Sequence, residues 1–289
     1  MTDDALDWLL EGDPAIRWQV QRDLLDEPPD VWEAERRRTV DEGWVAEMLT
    51  RREESGWPRG RWTDVPWSLL LLVACGLPAD HAGARADTDR MLARLETLDL
   101  SRRMDLCHVG FWLGLGSYFL GGDPRLARLA EFILAAQYAD GGWNCQMRNY
   151  PDRLHSSFNT TFNVLEGLRL SGVEHADAER RALEFMLEHR LYRSHRTGEV
   201  AEERFTHLTY PWHWHYTFLR GLDYMRLTPA IRDPRAADAL ALLRSERKAN
   251  GRWPLQKRIP GVPLVEMERP GEESRWNTLR ALRVLRAAG

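Results

Sequence analysis

A glycine–tryptophan pair returns along the chain, each time ahead of an apolar helix-forming stretch, and it constrains the fold more than any other feature. Gly56-Trp57 and Gly142-Trp143 are the clear copies, and Gly251-Arg252-Trp253 is a looser one. The fullest copy is Gln137-Tyr138-Ala139-Asp140-Gly141-Gly142-Trp143. An amphipathic run over residues 126–136 precedes it, and an apolar run over residues 158–170 follows past a loop. One repeat is therefore helix, glycine turn, helix. Such a unit cannot bury its apolar face alone and has to stack on its neighbours. No segment alternates with strand period over a useful length, so the pattern predicts an all-α chain.

Two further helices of the second kind, over residues 109–119 and 216–225, lack a clear Gly-Trp before them. Counting these, inner-type helices are expected to begin near Trp67, Cys107, Phe158, His213 and Trp276. Superposing Gly116, Gly167, Gly221 and Ala281 brings Phe111, Phe162, Tyr216 and Trp276 into register, and with them His108, Asn159 and His213. At the amino terminus Asp13-Pro14 reads as an N-cap and first helical residue, with Ile16, Val20 and Leu24 on one face. Pro28-Pro29 ends that helix, and a second helical stretch is expected over residues 31–49. Asp87-Thr88-Asp89 reads as an N-cap.

Composition narrows the function classes. A net charge of −4 gives no global positive field for a phosphate backbone, so nucleic acid is not the expected partner. The longest apolar stretch, residues 69–75, falls far short of the roughly 20 residues needed to span a bilayer. Met1-Thr2-Asp3-Asp4 is acidic where a secretory signal carries positive charge, so a cytoplasmic location is expected. Three cysteines, Cys75, Cys107 and Cys145, are too few for a disulfide scaffold, which leaves free thiols or metal ligands.

Residues 137–143 resemble the glutamine–tryptophan motif of squalene and hopene cyclases; Arg247 and Asn250 replace the glutamine and aspartate in the last copy. Over residues 53–289 the chain resembles the superfamily of terpenoid cyclases and protein prenyltransferases. It is more closely similar to bacterial proteins called prenyltransferase-like or squalene-cyclase-like. The segments that carry this are Gly141-Gly142-Trp143-Asn144-Cys145, His155-Ser156-Ser157-Phe158, His195-Arg196-Thr197-Gly198-Glu199 and Ser274-Arg275-Trp276-Asn277-Thr278-Leu279-Arg280. The resemblance implies an α/α toroid, a double ring of inner and outer helices over residues 53–289, with residues 1–52 as an N-terminal helical cap. It also implies a structural role for the motif: the tryptophan caps a neighbouring helix and the glutamine ties down a helix end.

Asp105-Leu106-Cys107 resembles the Asp-x-Cys zinc ligand pair of protein prenyltransferase β subunits, and Phe111-Trp112 follows as an aromatic pair does there. The resemblance thus implies zinc, with Asp105, Cys107 and His155 as ligands and Cys145 or His108 as alternatives. Asn159 stands where that family has its histidine ligand. The Asp-x-Asp-Asp and Asp-Asp-x-x-Asp motifs of terpene cyclases are absent. Trp212-His213-Trp214-His215-Tyr216 is the densest aromatic and histidine cluster. Histidine titrates near neutrality, and aromatic faces hold apolar chains and stabilise cations. The expected function is a terpenoid cyclase or prenyltransferase-like enzyme, acting on an isoprenoid or other hydrophobic substrate in a central aromatic cavity. Its catalytic groups are expected to be Asp105, His108, His213, His215 and Arg275. Its substrate contacts are expected to be Phe111, Trp112, Asn159, Phe162, Trp212, Trp214, Tyr216, Trp276 and Asn277. The alternative is a non-catalytic toroid that binds a hydrophobic ligand or a protein partner, which the sequence does not name.

Overall fold

The computed structural model describes residues 3–57, 65–97, 99–100, 105–145, 155–259 and 265–289. The chain is all-α. Its helices are α1 (Asp3–Leu10), α2 (Pro14–Asp23), α3 (Pro29–Arg38), α4 (Gly43–Ser55), α5 (Val65–Cys75), α6 (Ala82–Glu96), α7 (Leu106–Leu120), α8 (Arg125–Ala135), α9 (Phe158–Ser171), α10 (Ala176–Glu188), α11 (Phe218–Met225), α12 (Ala237–Ser245) and α13 (Arg275–Ala288), with short 3₁₀ turns between α10 and α12. β1 (Trp253–Pro254) pairs antiparallel with β2 (Glu273–Ser274), placing Trp253 opposite Ser274. Among the described residues no helix is long and apolar enough to cross a membrane.

The chain divides into two compact units. The first holds residues 1–78, 190–213 and 217–289, and the second holds residues 79–189 and 214–216. In the second unit α7 packs against α6, α8 and α9, and α10 packs against α9. α7 is apolar on all sides and buried along most of its length, from Leu106 to Phe119. α8 is amphipathic and buries Leu126, Leu129, Ala130 and Ile133, the i, i+3, i+4, i+7 stripe of a helix with one wet face. α7 and α9 cross with their backbones in contact: a Cβ on Gly167 would overlap the Gly110 carbonyl, and one on Gly114 would press on Gly167. Only glycine permits that approach.

In the first unit Asp13 caps α2 as expected, accepting from the Ala15 N–H at 2.8 Å; its other oxygen accepts from the Trp44 N–H at 2.8 Å. The helix expected over residues 31–49 is instead two, α3 and α4. Thr39 folds its hydroxyl back to donate to the Arg36 carbonyl, and Gly43 takes φ +76°, which turns the chain between them. Asp87-Thr88-Asp89 lies inside α6, whose cap is His81. Residues 1–52 lie in the unit that also contains α11 to α13. Arg275 donates to the Trp8 carbonyl, and Arg283 donates to Gln19 and Asp23. Beneath them Asp223 is buried among Arg226, Arg280 and Arg283, at 2.8, 3.2 and 2.9 Å.

The Gly-Trp turn is built the same way in each unit. In the second, the Trp143 N–H donates to Thr161 Oγ1 at 3.0 Å, and its indole N–H donates to the Ile133 carbonyl at the end of α8 at 2.8 Å. In the first, the Trp253 N–H donates to Thr278 Oγ1 at 3.0 Å, and its indole N–H donates to the Leu243 carbonyl at the end of α12 at 2.7 Å. Gln137 donates to the Gly141 carbonyl and to Ala178 in the first turn of α10. Arg247, its replacement, donates to the Gly251 carbonyl. Gly141 and Gly251 sit at φ +97° and +85°, where a side chain is strained. Of the Gly56-Trp57 copy, residues 58–64 lie outside the described residues.

Candidate functional site

In the second unit α7 begins at Leu106 with Asp105 as its N-cap residue, so the Cys107 amide points out of the first turn. That amide donates to Cys145 Sγ at 3.2 Å, and Thr160 Oγ1–H, from the first turn of α9, donates to the same sulfur at 3.3 Å. The Cys145 N–H returns a bond to Thr160 Oγ1 at 3.2 Å. The Cys107 thiol also donates to the Cys145 sulfur. That bond lowers the Cys145 pKa despite burial, while the same bond and burial raise Cys107 well above the ordinary thiol range.

His155 and His108, which the expected metal set also names, do not join this pair. His155 is exposed, its Nδ1 against the Ser156 carbonyl at 3.3 Å. Asn159 Oδ1 accepts the Tyr216 N–H at 2.7 Å. His108 sits beside Phe111, with ring centroids 6.3 Å apart. Among the described residues no group of three His, Cys, Asp or Glu side chains could hold a metal ion. The donor set implied for zinc does not fit these positions. Phe111, Trp112 and Phe162 are core residues, and Phe162 packs on Tyr216 at 5.1 Å. His215 stacks on Trp214 at 3.9 Å, and the Trp214 carbonyl accepts from Asn163 Nδ2 at 2.9 Å.

The first unit contains a second cluster, on the segment before α11 and the first turns of α13. The helix expected to begin at His213 begins at Phe218: His213 takes φ +47°, and Thr217 caps the helix by accepting the Arg220 N–H. Tyr210 and Trp212, ahead of the cap, are therefore free of helix geometry and lie against α13. Tyr210 stacks on Trp276 at 4.3 Å and 21°, Trp44 covers Trp276 at 6.2 Å and 24°, and Trp212 meets Tyr210 edge-on at 5.0 Å. The Arg280 guanidinium lies over Trp212, 4.6 Å from its centroid, and Arg220 lies 5.3 Å from it. Trp67 meets the edge of His213 at 6.0 Å.

Polar atoms inside this aromatic cluster are left over. Trp276 Nε1 and Arg280 Nη1 are buried without a hydrogen-bond partner, as is Asn277 Oδ1. Burial pushes the Tyr210 hydroxyl pKa well up; its hydrogen bond with the Cys75 sulfur works in the same direction and the charge of Arg280 against it. Glu268 accepts from Ser274 Oγ–H and from the Trp276 N–H at 3.2 Å, and burial raises it to about 7. Burial lowers His213 to about 4, so its imidazole is neutral at neutral pH and acts as an acceptor rather than an acid. Arg275 is occupied elsewhere, over the Trp8 ring at 4.3 Å, and Asn277 Nδ2 donates to the Pro254 carbonyl at 3.0 Å.

The structure thus brings Trp212, Trp276 and Asn277 together in one unit, with His213 on the adjoining segment. It brings Cys107, Cys145 and Asp105 together in the other. Sequence reasoning passed over Tyr210 and Arg280. The signal for Arg280 was its place one turn beyond Trp276 on the same helix face. No protein family matches the chain, and no curated protein or solved structure is significantly similar to it.

Proposed function

We propose that the chain is an enzyme of terpenoid-cyclase or prenyltransferase type, built as an α/α toroid, that acts on an isoprenoid or other hydrophobic molecule carrying hydrogen-bond acceptors. The observation that carries this reading is the pair of buried, unpartnered donors Trp276 Nε1 and Arg280 Nη1, beside the buried Tyr210 hydroxyl, among the rings of Trp44 and Trp212. A buried donor without a partner costs about 1–3 kcal/mol, and native proteins leave few of them. A ligand with acceptor atoms and an apolar body would recover that cost and cover the aromatic faces. His213, neutral and held at positive φ, supplies an acceptor that orients the substrate, and strained backbone of this kind gathers at working sites. The toroid rests on the Gly-Trp turn recurring with the same bonds at Trp143 and Trp253, and on the buried α7 and α9 alternating with the one-faced α8.

One observation favours the non-catalytic alternative. Asn159 and Arg275, two groups expected to touch substrate or act on it, spend hydrogen bonds on backbone. Incubating the protein with prenyl diphosphates and linear polyprenes, followed by mass spectrometry, separates the readings. Products formed by the wild type and lost in His213→Gln and Asp105→Asn support the enzyme. A ligand recovered unchanged supports the binding protein, and neither binding nor turnover contradicts both.

A further inference from the structure

We infer that Cys107 and Cys145 are a reversible redox pair, in which Cys145 is oxidised by a hydroperoxide and Cys107 resolves it as an intramolecular disulfide. The two residues are 38 positions apart in sequence. The fold nevertheless sets the Cys145 sulfur one hydrogen-bond length from the Cys107 amide, with the Cys107 thiol donating to it. Side chains in that relation need little backbone movement to bridge. Both residues keep some exposed surface, whereas Cys75 is fully buried, so the pair lies nearer to solvent than the third thiol.

The chemistry assigns the order. The Cys145 sulfur sits at the amino end of α7, where an unsatisfied helix amide points at it, and the Thr160 hydroxyl adds a second donor. Donors of this kind favour negative charge on sulfur and make it the nucleophile. In the first step the Cys145 sulfur attacks one peroxide oxygen; the O–O bond breaks, an S–O bond forms, and the thiol proton leaves with the second oxygen as water or alcohol. In the second step the Cys107 sulfur attacks the sulfenic sulfur; an S–S bond forms, the S–O bond breaks, and the Cys107 proton leaves with the oxygen as water. Two thiols lose two electrons and two protons, and the peroxide gains them. The disulfide fastens the turn that carries Trp143 to the first turn of α7, and a dithiol reductant reverses it.

The test treats the reduced, full-length protein with hydrogen peroxide, blocks remaining thiols under denaturing conditions, and maps peptides by non-reducing mass spectrometry. The expected result is a Cys107–Cys145 linked peptide two hydrogens lighter than the sum of its parts, Cys75 still alkylated, and full reversal by dithiothreitol. In Cys107→Ser, dimedone traps a sulfenic acid on Cys145. In Cys145→Ser, neither a crosslink nor a dimedone adduct on Cys107 forms at the same dose. Thr160→Val, which keeps both cysteines, slows the first step several-fold while circular dichroism reports an unchanged helical fold. Three intact thiols after peroxide, crosslinks only between molecules, or no trapped Cys145 in Cys107→Ser would overturn the inference.

Discussion

Glu268 combines a titration in the physiological range with a structural duty, because its carboxylate closes the amino end of α13. Burial raises it to about 7 in the folded chain, against about 4.3 when unfolded. A raised carboxyl binds its proton more tightly in the folded state, so its contribution is complete below about pH 4.3 and is lost as pH rises through 7. Glu268→Gln keeps an acceptor without the charge. It is expected to hold its stability between pH 5 and pH 8, where the wild type loses on the order of 2 kcal/mol; urea midpoints at the two pH values check this. Asp223 carries the opposite sign. Its arginine partners hold it well below the usual carboxylate range against the cost of burial, so its stabilisation is present above about pH 3.9 and fades as pH falls below that. Asp223→Asn leaves Arg280 and Arg283 without their shared counter-charge, and a loss of about 3–5 kcal/mol is expected in chemical denaturation at pH 7.

The Gly-Trp turn makes its prediction by comparison. Trp143 and Trp253 each close one helix end through an indole N–H, to carbonyls the same ten residues earlier. Trp143→Phe and Trp253→Phe should therefore cost similar amounts, about 1–2 kcal/mol beyond any packing change, since each strands a buried carbonyl. A large cost at one and none at the other would break the equivalence. Gly167→Ala tests the α7–α9 crossing, where the added methyl meets Gly110 backbone that cannot step aside; a loss of about 2–3 kcal/mol is expected. These elements were legible in sequence because their causes are local. Glycine at positive φ, a tryptophan after it and an amphipathic run before it fix one turn whatever lies beyond. The break between α3 and α4 was missed because Thr39 and Gly43 act through a side-chain bond and one dihedral, within a stretch whose apolar spacing runs on. The start of α11 was misplaced because Tyr216 keeps helix spacing while Thr217 holds the cap.

At the scale of the molecule, the interactions that decide function join segments far apart in sequence. Arg283 reaches Gln19 and Asp23 across most of the chain and so ties residues 1–52 to α13, a pairing that no local sequence pattern announces. Tyr210 and Arg280 went unmarked for the same reason: neither is unusual alone, and only packing buries their polar atoms against Trp276 and Trp212. The residues that sequence did nominate there, Trp212, His213 and Trp276, stood out because histidine and tryptophan are conspicuous in any order. The account rests on that cluster receiving a ligand. Isothermal titration of the wild type and of Tyr210→Phe with a linear prenyl diphosphate tests it most directly, because the substitution removes one hydroxyl and keeps the ring stacked on Trp276. The account predicts saturable binding by the wild type and roughly tenfold weaker binding by the variant, the worth of one hydrogen bond to a charged group. Equal affinity of the two proteins, or no binding by either, would contradict it.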